Sequence, residues 1–212
     1  MTDRFEQLVH AAGPVSRETY EALETYEALF RKWNERINLA SPSTLWDFWT
    51  RHVIDSAQVI RLRGDAKWFL DLGSGGGLPG IVLAILARDI ADMTVDLVES
   101  NRKKTAFLIN ALTHCKARGR VHPVRIQDAV THVKQPQIVT ARALAPLVEL
   151  LDLSHPWLKN GARGLFHKGR GYREEIEESR RNWLFDLVEH NSTVDADSVI
   201  LEISNLSRRS TP

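Results

Sequence analysis

The residues best suited to hold a ligand lie in the glycine-rich segment FLDLGSGGGLPG, Phe69 to Gly80. Its last eight positions contain five glycines, and an apolar run comes directly before them. This order is typical of a strand that ends in a turn and leads into a helix. Because glycine has no side chain, a ligand can lie directly against the backbone of such a turn.

The turn can be read in two registers. From Gly75 it matches the dinucleotide pattern G-x-G-x-x-G, but the match starts four residues after Asp71, and Pro79 removes an N–H donor that a phosphate would need. From Asp71 it reads D-L-G-S-G-G-G, in which the carboxylate can face an ammonium group. This register favours a cationic nucleoside such as S-adenosylmethionine.

A second acidic residue supports the nucleoside. Glu99 ends the apolar run TVDLVES, where a parallel sheet commonly places the acceptor for ribose hydroxyls. The alternative is an ordinary solvated acid at the end of a strand.

These residues require a particular arrangement of elements. After Gly64, short apolar runs alternate with segments predicted as helices at residues 80–88, 103–114, 146–158 and 176–183, which indicates an α/β fold with a doubly wound, mostly parallel sheet. The five runs predicted as parallel strands are WFLDLG, TVDLVE, VHPVRI, QIVTARAL and GLFHKG. The last two apolar runs, LFDLVEH and SVILEIS, have no helix between them. We expect them to form an antiparallel hairpin at the sheet edge.

The first sixty or so residues are predicted to be helical. Apolar residues recur at helical spacing over residues 16–37, with Ser16 as the N-cap, and Ser41-Pro42-Ser43 then breaks the chain. A following helix should bury one face, made of Trp46, Trp49, Val53, Ala57 and Ile60. We therefore predict a helical N-terminal extension at residues 1–64 and a second region at residues 65–212, packed as one globular unit.

Composition restricts both the class of protein and its cellular compartment. The chain has 212 residues, one cysteine and a net charge of +1, which excludes an intramolecular disulfide and a strongly basic nucleic-acid binder. Its longest apolar stretch is about ten residues, short of the roughly 20 that span a bilayer. The first residues lack the apolar core of a secretory signal. We expect a cytoplasmic protein that does not contact a membrane, whose basic clusters either form one face or lie on unrelated surfaces.

Six segments together resemble one family, the bacterial ribosomal RNA small subunit methyltransferase G family, also called glucose-inhibited division protein B. It is a family of class I S-adenosylmethionine-dependent methyltransferases with a Rossmann-like domain. The glycine motif alone would indicate only a methyltransferase, whereas the order and spacing of all six are specific. They are WNERINL, RHVIDS, DLGSGGGLPG, VESNRKKTAFL, TARALAPL and HKG, which span most of the chain.

The resemblance implies transfer of a methyl group from S-adenosylmethionine to N7 of a guanine in 16S ribosomal RNA, near the decoding region. It implies a monomer whose partner is that RNA or the small ribosomal subunit. The implied cofactor-binding residues are Asp71, Gly73, Ser74, Gly75, Gly77, Leu78, Glu99 for the ribose, Ile126 and Gln127 for the adenine, and Arg142. The implied RNA contacts are Lys103, Arg125 and Lys168, with Arg142 and Lys168 orienting the reactants.

One position departs from the family pattern. The segment Arg125-Ile126-Gln127 has glutamine where the family usually has glutamate. A glutamine carbonyl can still accept a hydrogen bond from the adenine amino group, but it brings no charge. We expect cofactor binding to be retained but weaker, with Asp128 as a possible substitute.

Methylation of guanine N7 needs alignment rather than a general base, because N7 carries a lone pair and no proton. The segment TARALA agrees, since it lacks the Asn/Asp-Pro-Pro-aromatic motif of many amine methyltransferases. Cys115 lies in a predicted helix and is expected to be packed, not a nucleophile.

His52 and Asp55 share a helix face, either as a link between the two regions or as a catalytic pair.

The remaining titratable residues predict no further chemistry. The eight histidines lack metal-ligand spacing, so we predict no metal site. The acids Glu174, Glu175, Glu177 and Glu178 should lie on a solvated helix surface.

Three other functions stay open. An NAD-dependent oxidoreductase would require an uninterrupted phosphate-binding helix start. A methyltransferase acting on another RNA, a protein or a small molecule would not depend on the basic clusters. An RNA-binding module without catalysis would be expected to have a decayed glycine turn.

Overall fold

The alternating apolar runs form one seven-stranded sheet in a computed structural model, which describes residues 3–209 apart from the side chains of residues 42 and 43. The strand order is β3-β2-β1-β4-β5-β7-β6. The strands are β1 (Trp68–Leu72), β2 (Thr94–Val98), β3 (Gly119–His122), β4 (Ile138–Arg142), β5 (Arg163–Lys168), β6 (Trp183–Asn191) and β7 (Val199–Arg208). The first five strands pair in parallel, and β7 pairs antiparallel with β5 and β6. The predicted α/β fold and its edge hairpin are confirmed.

Nine α-helical segments are found within residues 3–209. They are α1 (Arg4–Ala12), α2 (Arg17–Ile37), α3 (Pro42–Leu45), α4 (Asp55–Ala57), α5 (Gly80–Leu86), α6 (Arg102–His114), α7 (Ile126–Ala129), α8 (Leu147–Leu158) and α9 (Tyr172–Ser179). A π-helical segment, Trp49–Ile54, and two 3-10 segments, Gln58–Leu62 and Ala87–Asp89, complete the set. No helix in this part of the chain combines the length and apolar content needed to cross a membrane.

Alternate residues of β1 face two different cores, as expected for a sheet covered on both sides. Phe69 belongs to a core that also contains buried side chains of α1, α2, α5 and α6. Leu70 and Leu72 belong to a second core, with side chains of α8, α9 and the edge hairpin. The N-terminal helices therefore pack on the same core as the sheet, while the division of the chain at residue 64 stays a prediction.

The N-terminal helices also contact the glycine turn directly. Ser16 caps α2 as predicted, because its hydroxyl accepts a hydrogen bond from the Thr19 N–H at 3.2 Å. Further along α2, the buried Tyr26 hydroxyl donates to the Gly76 carbonyl. This bond joins the helical region to the glycine turn.

Three predicted boundaries were wrong. The helix predicted after Ser41-Pro42-Ser43 is divided into α3, which ends at Leu45, and the π-helical segment Trp49–Ile54. Trp46 lies in the turn between them and is 77% exposed, while Trp49 is buried. The third strand starts and ends earlier than predicted, and Pro123, which cannot donate to a ladder, follows its last residue. The helix predicted at residues 176–183 runs from Tyr172 to Ser179, and Trp183 begins β6.

Candidate active site

The glycine turn lies at the carboxyl end of β1, where the strand order changes direction between β1 and β4. Gly73 and Gly75 adopt left-handed conformations, with φ of 62° and 54°, which side chains disfavour. The Ser74 N–H between them donates to the Val98 carbonyl at 3.0 Å. The turn is thereby held against the end of β2.

A cleft of about 240 Å³ opens beside this turn. Its lining combines the turn, the end of β2, the approach to α7 and the segment after β4, in residues Gly73, Gly75, Val98, Glu99, Ser100, Lys104, Val124, Ile126, Ala143 and Leu144. A Cβ atom at Gly75 would come no closer than 3.6 Å to other parts of the protein, so the backbone there is open to a ligand. We name this space the cofactor cleft.

Glu99 is the acceptor group of the cofactor cleft. The residue is only 8% exposed, so it is not a solvated acid. Its Oε2 accepts from the Gly75 N–H at 2.9 Å, and its Oε1 accepts from the Asn101 N–H at 2.7 Å. Each carboxylate oxygen keeps a further lone pair that can accept a ribose hydroxyl.

The cofactor cleft fits S-adenosylmethionine in its chemistry. Val124, Ile126 and Leu144 supply an apolar wall suited to an adenine ring, and Glu99 supplies an acceptor suited to ribose hydroxyls. The turn offers backbone without side chains at Gly75. The cleft thus contains the two features that the sequence predicted, a turn without side chains and an acceptor at the end of the second strand.

Some predicted cofactor residues build the turn rather than line the cleft. Asp71 is 1% exposed, and its Oδ1 accepts from the Thr140 hydroxyl at 2.7 Å. Burial raises the pKa of Asp71 to about 6, although hydrogen bonds to its carboxylate act in the opposite direction. The Ser74 hydroxyl donates to the Asp71 carbonyl, and a Cβ at Gly77 would collide with Ile81.

Other predicted residues lie outside the lining of the cofactor cleft. Leu78 packs against the first core. Arg125 and Gln127 are exposed at the start of α7, on either side of Ile126. Lys103 is exposed on the first turn of α6, and it is the neighbouring Lys104 that reaches the cleft.

A second cavity, of about 470 Å³, lies at the ends of β4 and β5. Its lining shares Ala143 and Leu144 with the cofactor cleft, so these residues form a common wall. The other lining residues are Asp55, Ala141, Arg142, Ala145, Pro146, Leu150, His167, Lys168, Gly169, Glu175, Ser198 and Val199. Of the predicted residues, Arg142 and Lys168 meet in this cavity, which we name the substrate cavity.

Arg142 links the substrate cavity to the N-terminal helices. Its Nε lies 3.3 Å from Asp55 Oδ2, and its Nη2 donates to the Arg51 carbonyl at 2.8 Å and to His52 Nδ1 at 3.0 Å. Its Nη1 is buried and has no hydrogen-bond partner among the described residues. Both N–H groups of this Nη1 are therefore unpaired among the described residues.

The two buried histidines beside Arg142 are held neutral. Burial and the neighbouring Arg142 charge lower the pKa of His52 to about 4, so its Nδ1 can accept from the guanidinium. Burial also lowers the pKa of His167, whose Nε2 donates to the Asp55 carbonyl at 3.0 Å. His52 Nδ1 and the Asp55 carboxylate both contact the Arg142 guanidinium, which favours the predicted link between the two regions.

Lys168 is buried in the wall of the substrate cavity, with a side chain 8% exposed. Its Nζ donates to the Ala145 carbonyl at 2.8 Å and to Glu175 Oε2 at 2.7 Å. The expectation of a solvated Glu175 was therefore wrong, because its carboxylate pairs with Lys168 of β5 and accepts from the Leu147 N–H. Its neighbours Glu174, Glu177 and Glu178 are exposed, as expected.

Sequence reasoning missed part of the site. Ser100, Lys104, Val124, Ala143 and Leu144 line the cofactor cleft without having been singled out. Ala143 and Leu144 directly follow Arg142. Their position at the end of a central strand could have identified them as lining residues. Ala143 has a left-handed backbone, with φ of 51°, which no residue-type signal predicted.

Cys115 is buried as predicted, and burial raises the pKa of its thiol to about 12, which makes it a poor nucleophile. In the part of the chain that the structure describes, no three His, Cys, Asp or Glu side chains converge as metal ligands would.

The sequence matches known proteins over most of its length. The family model described as rRNA small subunit methyltransferase G, GidB, matches residues 19–203. A relative from Chelativorans sp. (strain BNC1), named ribosomal RNA small subunit methyltransferase G, is 56% identical over 208 residues, 98% of this chain and 99% of the relative. A relative of the same name from Brucella anthropi is 53% identical over 206 residues, 97% of each chain.

Solved structures support the fold. The O-methyltransferase from Bacillus cereus in complex with SAH matches with a TM-score of 0.57 at 12% identity, over 94% of this chain and 96% of that chain. Cofactor-bound Rv0187 from MTB matches with a TM-score of 0.58 at 13% identity, over 92% of each chain. The fold is that of class I methyltransferases. Because the family model and both relatives match nearly the whole sequence, the chain belongs to the GidB family of rRNA small subunit methyltransferases G.

Proposed function

We propose that this protein transfers the methyl group of S-adenosylmethionine to N7 of a guanine in 16S ribosomal RNA, near the decoding region. The observation that carries the proposal is the common wall of Ala143 and Leu144, which places the substrate cavity directly beside the cofactor cleft. Membership of an S-adenosylmethionine-dependent rRNA methyltransferase family supplies the cofactor and the substrate class.

The chemistry requires orientation more than acid–base catalysis. S-adenosylmethionine supplies an electrophilic methyl group, and guanine N7 offers a lone pair without a proton to remove. Arg142 and Lys168 carry the available N–H groups of the substrate cavity and act as orienting donors. Positioning of this kind can contribute roughly 7 to 11 kcal/mol to lowering a barrier.

The cofactor is held by the turn and by two strand ends. Gly73 and Gly75 border its methionine and ribose portion, Glu99 accepts from the ribose, and Ile126 packs on the adenine. Gln127, exposed beside Ile126, would accept from the adenine amino group. Asp71, Ser74, Gly77 and Leu78 contribute by shaping the turn beneath the cofactor.

The RNA contacts lie around the two openings. Lys103 and Arg125 are exposed close to residues of the cofactor cleft, where they would meet phosphates of the 16S RNA or the small subunit. The protein would act on this RNA in the cytoplasm as a monomer.

The test is methyl transfer followed by site-specific cleavage. The protein is incubated with methyl-labelled S-adenosylmethionine and either small ribosomal subunits or protein-free 16S RNA, and the RNA is cleaved at N7-methylguanosine with borohydride and aniline. We expect label and a single cleavage in at least one substrate. No label in either would contradict RNA methylation, and label without cleavage would contradict only the choice of N7. Two further assays cover the competing functions. One measures label transfer to total protein and to small molecules, and the other measures binding of NAD.

A further inference from the structure

Lys168 and Glu175 form an ion pair in the wall of the substrate cavity, with 2.7 Å between Nζ and Oε2. Neither residue lines the cofactor cleft. Glu175 Oε2 also accepts from the Leu147 N–H at 2.6 Å, which fixes the carboxylate at the start of α8. The pair thus joins residues of β5, α8 and α9.

Both members keep hydrogen-bonding capacity. Lys168 Nζ has three N–H groups and uses two, on the Ala145 carbonyl and on Glu175. Glu175 Oε1 accepts no hydrogen bond from any residue that the structure describes, because both donors go to Oε2. The cavity wall thus presents one positively charged donor beside one negatively charged acceptor.

Guanine carries the complementary pattern on one edge. Its O6 is an acceptor, while the adjacent N1–H and the 2-amino group are donors that a carboxylate can accept together. Adenine reverses the pattern, with an amino donor and an N1 acceptor at the corresponding positions. A lysine next to a carboxylate therefore favours guanine over adenine.

We infer that Lys168 and Glu175 recognise the target base as guanine, with Lys168 donating to O6 and Glu175 Oε1 accepting from N1–H and the 2-amino group. This inference rests on the proposed function. Recognition of this edge leaves N7 without a protein contact. Since the pair lies in the substrate cavity and not in the cofactor cleft, N7 is free to face the common wall of Ala143 and Leu144.

The competing explanation is purely structural, in which Glu175 only caps α8 and neutralises a buried lysine. Glu175→Gln separates the two. An amide has a single acceptor oxygen, so if that oxygen receives Leu147 and Lys168, the NH₂ group faces the base and opposes its donors. The matched control is Glu178→Gln, which removes the same charge from an exposed position of α9.

The readout compares guanosine with inosine at the mapped target position, in 16S RNA assembled by ligation and reconstituted into small subunits where these are the substrate. Inosine keeps N7, O6 and N1–H but lacks the 2-amino group. We expect kcat/KM for label transfer to favour guanosine by roughly 10- to 100-fold in the wild type. The preference should persist in Glu178→Gln and fall at least severalfold in Glu175→Gln.

An unchanged guanosine preference in folded Glu175→Gln would overturn the inference, and so would equal transfer to both bases by the wild type. The wild-type comparison requires no variant, so it can overturn the inference even where Glu175→Gln fails to fold. Absence of transfer to natural RNA would instead remove the proposed function itself, which keeps the two failures distinct.

Discussion

Arg142 at the end of β4 and Asp55 in α4 form an ion pair, with 3.3 Å between Nε and Oδ2. Both side chains are largely buried, and the same guanidinium donates to the Arg51 carbonyl. The end of a central strand is therefore fastened to the N-terminal helices at the border of the substrate cavity. Arg142 therefore belongs both to this link and to the lining of the substrate cavity.

Replacing Arg142 should affect both stability and methyl transfer. Arg142→Ala leaves the Asp55 carboxylate buried without its partner, which we expect to lower the free energy of unfolding by about 3 kcal/mol. It also removes the free Nη1 donor, so transfer to 16S RNA should fall by roughly 100-fold or more. Urea unfolding and label transfer measure the two effects.

Asp55→Asn provides the comparison, because it weakens the same ion pair and leaves Arg142 in the chain. Its loss of stability should resemble that of Arg142→Ala, while its loss of transfer should be smaller. Full transfer activity in a folded Arg142→Ala protein would remove Arg142 from the site.

Glu99 should control cofactor affinity. Glu99→Gln leaves one acceptor oxygen for the N–H groups of Gly75 and Asn101 and for the ribose, so at least one hydrogen bond is lost. We expect the Kd for S-adenosylhomocysteine, measured by calorimetry, to rise roughly 10- to 100-fold. The exposed Glu149→Gln is the control and should bind normally. Equal affinity of both variants would mean that Glu99 only holds the turn.

The parts of this protein that could be predicted are those that short-range patterns determine. The strands were recognisable because burial on both faces requires continuous apolar runs, and the glycine turn because the backbone there needs residues without side chains. The exposure of Trp46 follows from the turn between α3 and the π-helical segment, which apolar spacing does not encode. The link between Arg142 and Asp55 joins residues far apart in the chain, so only the folded structure places them together.

The same limit explains the error at Glu175. A run of acidic residues on a helix indicates a solvated surface, and three of its four members are exposed. Which member turns inward depends on the partners that the fold supplies, here Lys168 of β5 and the Leu147 N–H of α8.

The adjacent lysines of α6 should have separable roles. Lys104 lines the cofactor cleft and Lys103 is exposed, so Lys104→Ala should weaken S-adenosylhomocysteine binding by roughly threefold to fivefold. Lys103→Ala should leave that affinity unchanged and weaken RNA binding instead. For Lys103→Ala, the slope of log K for RNA binding against log salt concentration should become shallower by roughly 0.7 to 0.9. The reverse assignment, with Lys103→Ala weakening the cofactor, would contradict the structure.

His52 should make stability depend on pH. Its pKa falls from 6.5 to about 4 through burial and the neighbouring Arg142, so the folded protein binds this proton less readily than the unfolded chain does. The unfolded state then holds more protons between these values. Stability linked to His52 is fully present above pH 6.5 and is lost as the pH falls towards 4, by about 3 kcal/mol in total.

The measurement compares urea unfolding of the wild type and His52→Gln between pH 7.5 and 5. Asp71, whose pKa is raised to about 6, acts in the opposite direction over part of this range, and the lowered pKa of His167 acts in the same direction as His52. Both groups are present in both proteins, so the difference between the two pH profiles isolates His52. We expect the variant to lose less stability on acidification, whereas the exposed His114→Gln should follow the wild type. Parallel profiles for the wild type and His52→Gln would mean that the histidine is protonated as easily in the folded protein as in the unfolded chain.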